Sequence, residues 1–475
     1  MNTMLSLNDY AALSPLLILL AGALLLILVE TFYGARAKNT FSYLTIATLL
    51  AALFAAFKAP ASENPLLTPW IKFDYLSQFF TIFFIVIGLG STLLTASFFQ
   101  RFEASRGEYY FLLLASIFGL ILIGSSADFL TLFLGIETLS ISLYVLCGYM
   151  KKWTFSHESA IKYFFMGSLA AAFLLYGIAL IYGSVGTTRF DLLLDGYRAL
   201  SPGSTKVLFL SGAALVTLAL AFEAAIVPFH LWAPDVYAGA PTPVTAFMSV
   251  GTKVGAFAAF VRVFLDALPQ FDPIWNEGIS LLAYPTLIYA NIVALRQTQL
   301  RRFFAYSGIS HAGFLLIPLA AGTVDALPSL LFYLVIYALG TLGSFGILAI
   351  LDKNEEGVTL NDLRGLFHRS PLIAIVFSVC LLTLAGIPPT AGFFAKFFIF
   401  KVAFQAGYYA LVIVGLLTTI ISAFYYMRIV GIMLSGTPEE STAPQRSWPA
   451  IAVGLVSFVA IILFSCYPGP FMALL

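Results

Sequence analysis

Taken in windows of about 19 residues, the chain alternates long apolar runs with short polar connections from one end to the other. Fourteen runs are long enough to cross about 30 Å of hydrocarbon as helices. They lie near 13–33, 40–57, 74–99, 108–124, 127–150, 157–183, 207–231, 241–266, 275–297, 300–321, 327–351, 371–405, 408–434 and 448–473. No polar stretch between them is large enough to fold separately, so the pattern predicts one all-α polytopic membrane domain over residues 1–475. The composition, 60% hydrophobic and only 10% charged, excludes an ordinary soluble domain. A net charge of +1 without a basic tail gives no reason to expect nucleic acid. Cys147, Cys380 and Cys466 stand far apart inside apolar runs and read as small core residues. The opening "MNTMLSLNDYAALSPLLILL" has neither a basic leader nor a small-residue cleavage site, and reads as leading into a retained first span.

Charge then orients the spans. Of the 24 Lys and Arg, 14 fall in the odd-numbered connections, among them Arg36, Lys38, Lys151, Lys152, Arg301, Arg302, Arg364 and Arg369. The even-numbered connections hold only Lys58, Lys72, Arg189, Arg198 and Lys206. By the positive-inside rule the odd loops are cytoplasmic and both termini are outside.

Two spans carry their own breakers. Pro228 lacks an N–H and clashes with the carbonyl of Ala224, so span seven should bend or unwind there. In span twelve, "LAGIPPTAGFFAKF" places Pro388 and Pro389 where they free the carbonyls of Leu384 and Ala385. If spans four to eight (108–266) and nine to thirteen (275–434) are two five-helix units, the broken helix is fourth in each. An odd number of helices per unit turns the second upside down. Interrupted helices at matching places of inverted repeats point to a transport site near the midplane.

Ionisable side chains inside spans point to an ion or proton path. Glu137 lies near the centre of span five, Glu223 beside the break in span seven, Lys253 between Gly251 and Gly255 in span eight, and Lys396 beyond the break in span twelve. Counted from the intervening turn, Glu223 and Lys253 differ in depth by only about 5 Å, so Glu223 is expected to take Lys253 as its partner. If Glu223 lies instead by Glu137 with no cation between, the two carboxylates would share protons and titrate together. His230 and His311 sit at or near helix breaks or ends, where imidazole can satisfy a freed carbonyl or relay a proton. Glu30, Glu158, Lys162, Arg262 and Lys401 read as interfacial or snorkelling side chains, and Trp70 and Trp232 as interface anchors. Ion pairs that only stapled helices could be replaced by apolar packing at little cost, which favours proton transfer. No nucleophile with a base, zinc spacing, Walker loop or dinucleotide fingerprint is present.

"VPFHLWAPDVYAGAPTPVTAFMSVGTKVG" (227–255) resembles the signature of the antiporter-like membrane subunits of respiratory complex I, and "PDVYAGAPTPV" favours the N-type over the L and M types. "FLGIETLSISLYVLCGY", "IKYFFMGSLAAAFLLYG", "RRFFAYSGISHAGFLL", "NDLRGL" and "LAGIPPTAGFFAKF" agree, so the likeness covers roughly residues 70–435. The resemblance implies two inverted five-helix repeats with discontinuous helices seven and twelve. It also implies a proton-translocating role within a multisubunit NADH:quinone oxidoreductase in the bacterial inner membrane. NADH, FMN, iron–sulfur clusters and quinone would be held by other chains, with no cofactor or metal here. Partners would be membrane subunits of L, M, K, J, A and H type, the peripheral arm and the lipid bilayer. Its buried set is a Glu on helix five and Lys on helices seven, eight and twelve; Glu137, Lys253 and Lys396 match. At the remaining position, where the pattern commonly reads Phe-Lys, this chain has Phe222-Glu223. Competing readings are a cation/proton antiporter subunit, the equivalent subunit of a dehydrogenase with another electron donor, and a pore-free scaffold; the buried lysines argue against the last.

Overall fold

A computed structural model describes residues 4–34, 38–102, 104, 106–200, 203–268, 272–435 and 447–469. Arg36 and the end of the fourteenth predicted span, 470–473, lie outside these. The chain opens with α1 (Leu7–Tyr33), α2 (Lys38–Lys58) and α3 (Tyr75–Arg101). Then come α4 (Gly107–Gly124), α5 (Phe129–Cys147), α6 (Thr154–Val185), a short amphipathic α7 (Phe190–Arg198), α8 (Ser204–Glu223), α9 (Trp232–Gly239) and α10 (Thr242–Phe260). The remainder holds α11 (Asp272–Ala294), α12 (Leu300–Ala321), α13 (Ala326–Leu351), a one-turn α14 (Leu366–Arg369), α15 (Pro371–Ala385), α16 (Ala391–Gln405), α17 (Tyr409–Leu434) and α18 (Trp448–Cys466). Twelve of these are long and apolar enough to cross a membrane. With α11 and the split pair α15/α16 they reproduce the fourteen predicted crossings. Among the described residues there are no β-strands, only isolated bridges such as Asp128–Arg189.

Polar residues at the helix starts satisfy N–H groups that would otherwise be orphaned. Asp74 accepts from the Ser77 N–H at 2.8 Å, and Asp128 from Leu130 and Thr131 at 3.2 and 2.9 Å. Glycines then set how closely helices approach. A Cβ on Gly119 of α4 would sit 2.7 Å from the Gly135 carbonyl of α5, and Gly177 of α6 meets the Gly212 carbonyl of α8 at the same distance. Only residues without a side chain permit these crossings. The packing buries α10 throughout and α12 everywhere except Arg302 at its start. On the outside, α1, α6 and α18 turn side chains such as Leu24, Phe165 and Val456 outward, as contact with hydrocarbon requires.

Both predicted breaks are present and close in the same way. At the end of α8, Ala225 N–H donates to Phe222 O (2.9 Å) and Ile226 N–H to Ala221 O (2.8 Å). At the end of α15, Gly386 N–H donates to Thr383 O (3.0 Å) and Ile387 N–H to Leu382 O (3.2 Å). Ala225 and Gly386 take positive φ values, +56° and +78°, which end a helix by turning its last carbonyls inward. A cis prolyl bond follows each, Val227–Pro228 and Pro388–Pro389. Trp232, expected as an interface anchor, is instead 1% exposed. Its indole N–H donates to the Phe222 carbonyl at 2.9 Å, beside the Ala225 N–H that closes the helix there, and its ring stacks on Tyr163.

Candidate functional site

The breaks leave carbonyls without intrahelical donors, and the two buried lysines occupy them. Lys253, from α10, donates Nζ to the Ala224 carbonyl at 3.3 Å. Lys396, from α16, donates to the Ala385 carbonyl at 3.0 Å. These carbonyls stand at equivalent positions, each immediately before the positive-φ residue. They are also groups that the prolines four residues on exclude from helical bonding. Lys396 further donates to Ser422 Oγ at 3.3 Å, and its ammonium lies over the Phe314 ring, 4.4 Å from the centroid.

Glu223 does not take Lys253 as its partner. The expected pair fails because the lysine is held by the carbonyl one residue further on. Glu223, 8% exposed, accepts instead from Ser140 Oγ of α5 at 3.3 Å, and the charged group that bears on it electrostatically is Glu137. Glu137 lies one turn before Ser140 on α5, and its buried Oε1 has no hydrogen-bond partner among the described residues. Glu223 is therefore anchored one helical turn from Glu137, on the side of the alternative expectation, and not on Lys253.

Between the lysines lies a line of aromatic hydroxyls around His311. That histidine is in the interior of α12, not at a helix end, and it serves no freed carbonyl. Its Nδ1 pairs with the Tyr333 hydroxyl at 2.8 Å and its Nε2 with the Tyr426 hydroxyl at 3.3 Å; Tyr426 also bonds Ser307. Tyr337 packs on the imidazole with centroids 5.0 Å apart and donates to the Ser249 carbonyl at 2.8 Å. Gly308, one turn before His311, lets the Lys253 side chain lie against α12: a Cβ there would be 2.7 Å from Lys253 Cε and 3.2 Å from the Tyr337 hydroxyl. On the other side, a cavity of about 10 Å³ is lined by His311, Tyr333, Tyr337, Thr383 and Lys396, about the room one water needs. His230 lies in the first break as expected but off this line. Its ring packs on Tyr289 of α11, and neither ring nitrogen makes a well-formed hydrogen bond among the described residues.

Several groups were not legible in the sequence. Arg262, read as a snorkelling residue, is fully buried. It lies in a π-helical turn that continues α10 and makes two 2.7 Å contacts with Asp74, plus one to the Gly124 carbonyl at 2.8 Å. Partial burial alone would push the Asp74 carboxyl up, but the hydrogen bonds and charge of Arg262, with help from Ser77, hold it well below the usual carboxylate range. At the odd-loop end, Arg301 is also buried and donates to the Ala240 and Glu355 carbonyls, both at 2.5 Å. Asp352 accepts there from Thr242 at the start of α10. An open vestibule of about 400 Å³ lies nearby, crossed by Lys162, which bridges Glu158 and Asp235 at 2.7 Å each. Arg302 joins Asp235 at 3.1 Å. Tyr333 and Tyr337, four apart and so on one face of α13, were the available signal for the hydroxyl line. Among the described residues no group of three His, Cys, Asp or Glu side chains is placed to hold a metal ion.

A bundle of membrane-crossing helices, two of them broken where buried lysines dock, defines a polytopic membrane protein with an internal ionisable axis. Comparison with known proteins agrees and goes further. Residues 126–422 match the NADH:quinone oxidoreductase/Mrp antiporter transmembrane family, and the chain belongs to that family. It is 62% identical to NADH-quinone oxidoreductase subunit N of Protochlamydia amoebophila (strain UWE25), over 100% of this chain and 99% of that protein. It is 32% identical, with a TM-score of 0.82, to a chain of respiratory complex I from Thermus thermophilus with bound aureothin, covering 97% of this chain and 98% of that one. A chain of the Mrp complex from Dietzia sp. DQ12-45-1b, 20% identical, shares the fold with a TM-score of 0.84 over 98% of this chain and 96% of its own.

Proposed function

We propose that this chain is a proton-translocating membrane subunit of an NADH:quinone oxidoreductase, conducting protons along Glu137, Glu223, Lys253, His311 and Lys396. The observation that carries the reading is the buried line from Lys253 past Tyr337 and His311 to Lys396, with each lysine seated on a carbonyl freed by a helix break. Such a lysine has two stable conditions. Charged, it is held by the carbonyl; neutral, it is released, and a water in the small cavity can pass the proton between His311 and Lys396. His230, beside the first break, is assigned to proton uptake from the odd-loop side.

The matched closures at Ala225 and Gly386 support two repeats, 108–266 and 275–434, inverted relative to one another. Arginine and lysine in the odd loops support their placement on the cytoplasmic side, with both termini on the periplasmic face of a bacterial inner membrane. NADH, FMN, iron–sulfur clusters and quinone belong, in this reading, to other subunits. The names of its relatives favour the oxidoreductase over a free-standing antiporter. The test is Lys396→Ala in the assembled complex reconstituted into vesicles. Proton pumping attributable to this chain should be lost while the complex still assembles; near-normal pumping would refute the assignment.

A further inference from the structure

The contacts around Glu223 carry an inference that rests on the proton-path reading and deepens it. We propose that Glu137 and Glu223 form one carboxyl–carboxylate pair holding a single shared proton, so that the link between α5 and α8 stores charge as an acid pair with no cation. Ser140 fixes the geometry. Its Oγ is 3.3 Å from Glu223 Oε1, and it lies three residues beyond Glu137 on the same face of α5, where the Cβ atoms of such neighbours stand about 5–6 Å apart. Glu223 is thus anchored one helical turn from Glu137, within reach of two long side chains for a direct contact or one bridging water.

Among the described residues no basic side chain forms an ion pair with either acid. From α10, Lys253 is held by the Ala224 carbonyl and makes no ion pair with Glu223. From α6, Lys162 is bound to Glu158 and Asp235. The other neighbours are neutral hydroxyls. Tyr144 shares Ser140, while Tyr163 is fully buried, interacts electrostatically with Glu223 and has a hydroxyl without a hydrogen-bond partner among the described residues. Two ionised carboxylates here would repel one another with nothing between them, and Glu137 Oε1 would stay unsatisfied. One proton removes the repulsion and supplies the missing donor. A second proton takes the pair from a charge of −1 to neutral, by forming one O–H bond; its release to the next carrier restores the starting state, and no other reactant is needed.

The experiment is infrared difference spectroscopy of the purified complex in H₂O and D₂O at neutral pH, with Glu137→Gln and Glu223→Gln beside the unaltered protein. Glutamine keeps the size of glutamate at both positions, and at 223 it can still accept from Ser140, so both variants retain the local packing. A carboxylic-acid carbonyl band in the unaltered complex, shifted in D₂O and displaced or lost in both variants, is the expected result, because either substitution removes one of the two acids between which the proton is shared. Absence of the band, its survival at the same frequency in both variants, or its change in only one would overturn the shared proton. Pumping through Lys396 is measured separately. An overturned pair with pumping still lost in Lys396→Ala leaves the proton path standing, and a confirmed pair with normal pumping in Lys396→Ala sinks the path alone.

Discussion

Gly308→Ala tests whether the contact between Lys253 and α12 is part of the path. The new methyl carbon would lie 2.7 Å from Lys253 Cε and 3.2 Å from the Tyr337 hydroxyl. Carbon atoms rest about 3.5–4.0 Å apart, so the lysine must retreat by roughly 1 Å. Its hydrogen bond to the Ala224 carbonyl is already 3.3 Å and does not survive that retreat. A hydrogen bond to a charged group contributes about 1.5–3 kcal/mol, or roughly 10- to 150-fold in occupancy of the bonded position. The helix itself should not suffer, because alanine is favoured over glycine in a helix interior by about 1 kcal/mol. Gly251→Ala is the control: it also adds a methyl group, on α10 itself, but its nearest neighbours are Phe247 ring atoms at 3.4 Å. The assay is protons moved per NADH oxidised by the complex in vesicles. Gly308→Ala should lower that ratio by this chain's share, and Gly251→Ala should leave it near the unaltered value. An unchanged ratio in Gly308→Ala, or an equal loss in both, would refute the reasoning.

Asp74→Ala should destabilise the complex by about 3 kcal/mol, because it strands the fully buried Arg262 without its counter-charge; thermal unfolding in detergent reads this, and an unchanged midpoint contradicts it. Asp74 is held below its ordinary value, so its stabilising contribution is complete above the unfolded carboxylate pKa of about 3.9 and fades only as pH falls through the lower folded value. Stability measured between pH 5 and 8 should therefore show no step from this pair. His311→Phe removes the partner of the Tyr333 hydroxyl; it should cost about 1–3 kcal/mol and interrupt pumping, whereas loss of stability with pumping intact would make His311 merely structural. Gly119→Val, whose Cβ meets the Gly135 backbone, should push α5 away from α4 at a cost of about 1–3 kcal/mol, visible as a lower unfolding temperature.

The sequence disclosed most of the architecture because a bilayer leaves the backbone few choices. Fourteen apolar runs became fourteen crossings, and the prolines identified the carbonyls of Ala224 and Ala385 as unable to bond within their helices. What would occupy those carbonyls was hidden. Depth along a helix placed Lys253 level with Glu223, but depth says nothing about rotation about the helix axis, so the lysine met a backbone oxygen one residue beyond the expected acid. Arg262 was misread for a related reason. Its position near the end of a span suggested snorkelling, while the π-helical turn that continues α10 directs it inward to Asp74, 188 residues earlier in the chain. The tyrosines around His311 carried no charge to draw notice, and only the packing of α12, α13 and α17 together shows that their hydroxyls form a line.

The central claim is that Lys253 and Lys396 belong to a single path, and a double-variant cycle tests it most directly. Lys253→Met, Lys396→Met and the combined variant each replace a buried ammonium with an apolar side chain of similar length, which membrane packing tolerates. Protons moved per NADH are measured for all three in the same vesicles. A serial path predicts that either single variant removes this chain's whole contribution and that the combination removes no more. Partial losses that add in the combined variant would contradict it, showing two independent routes in place of one.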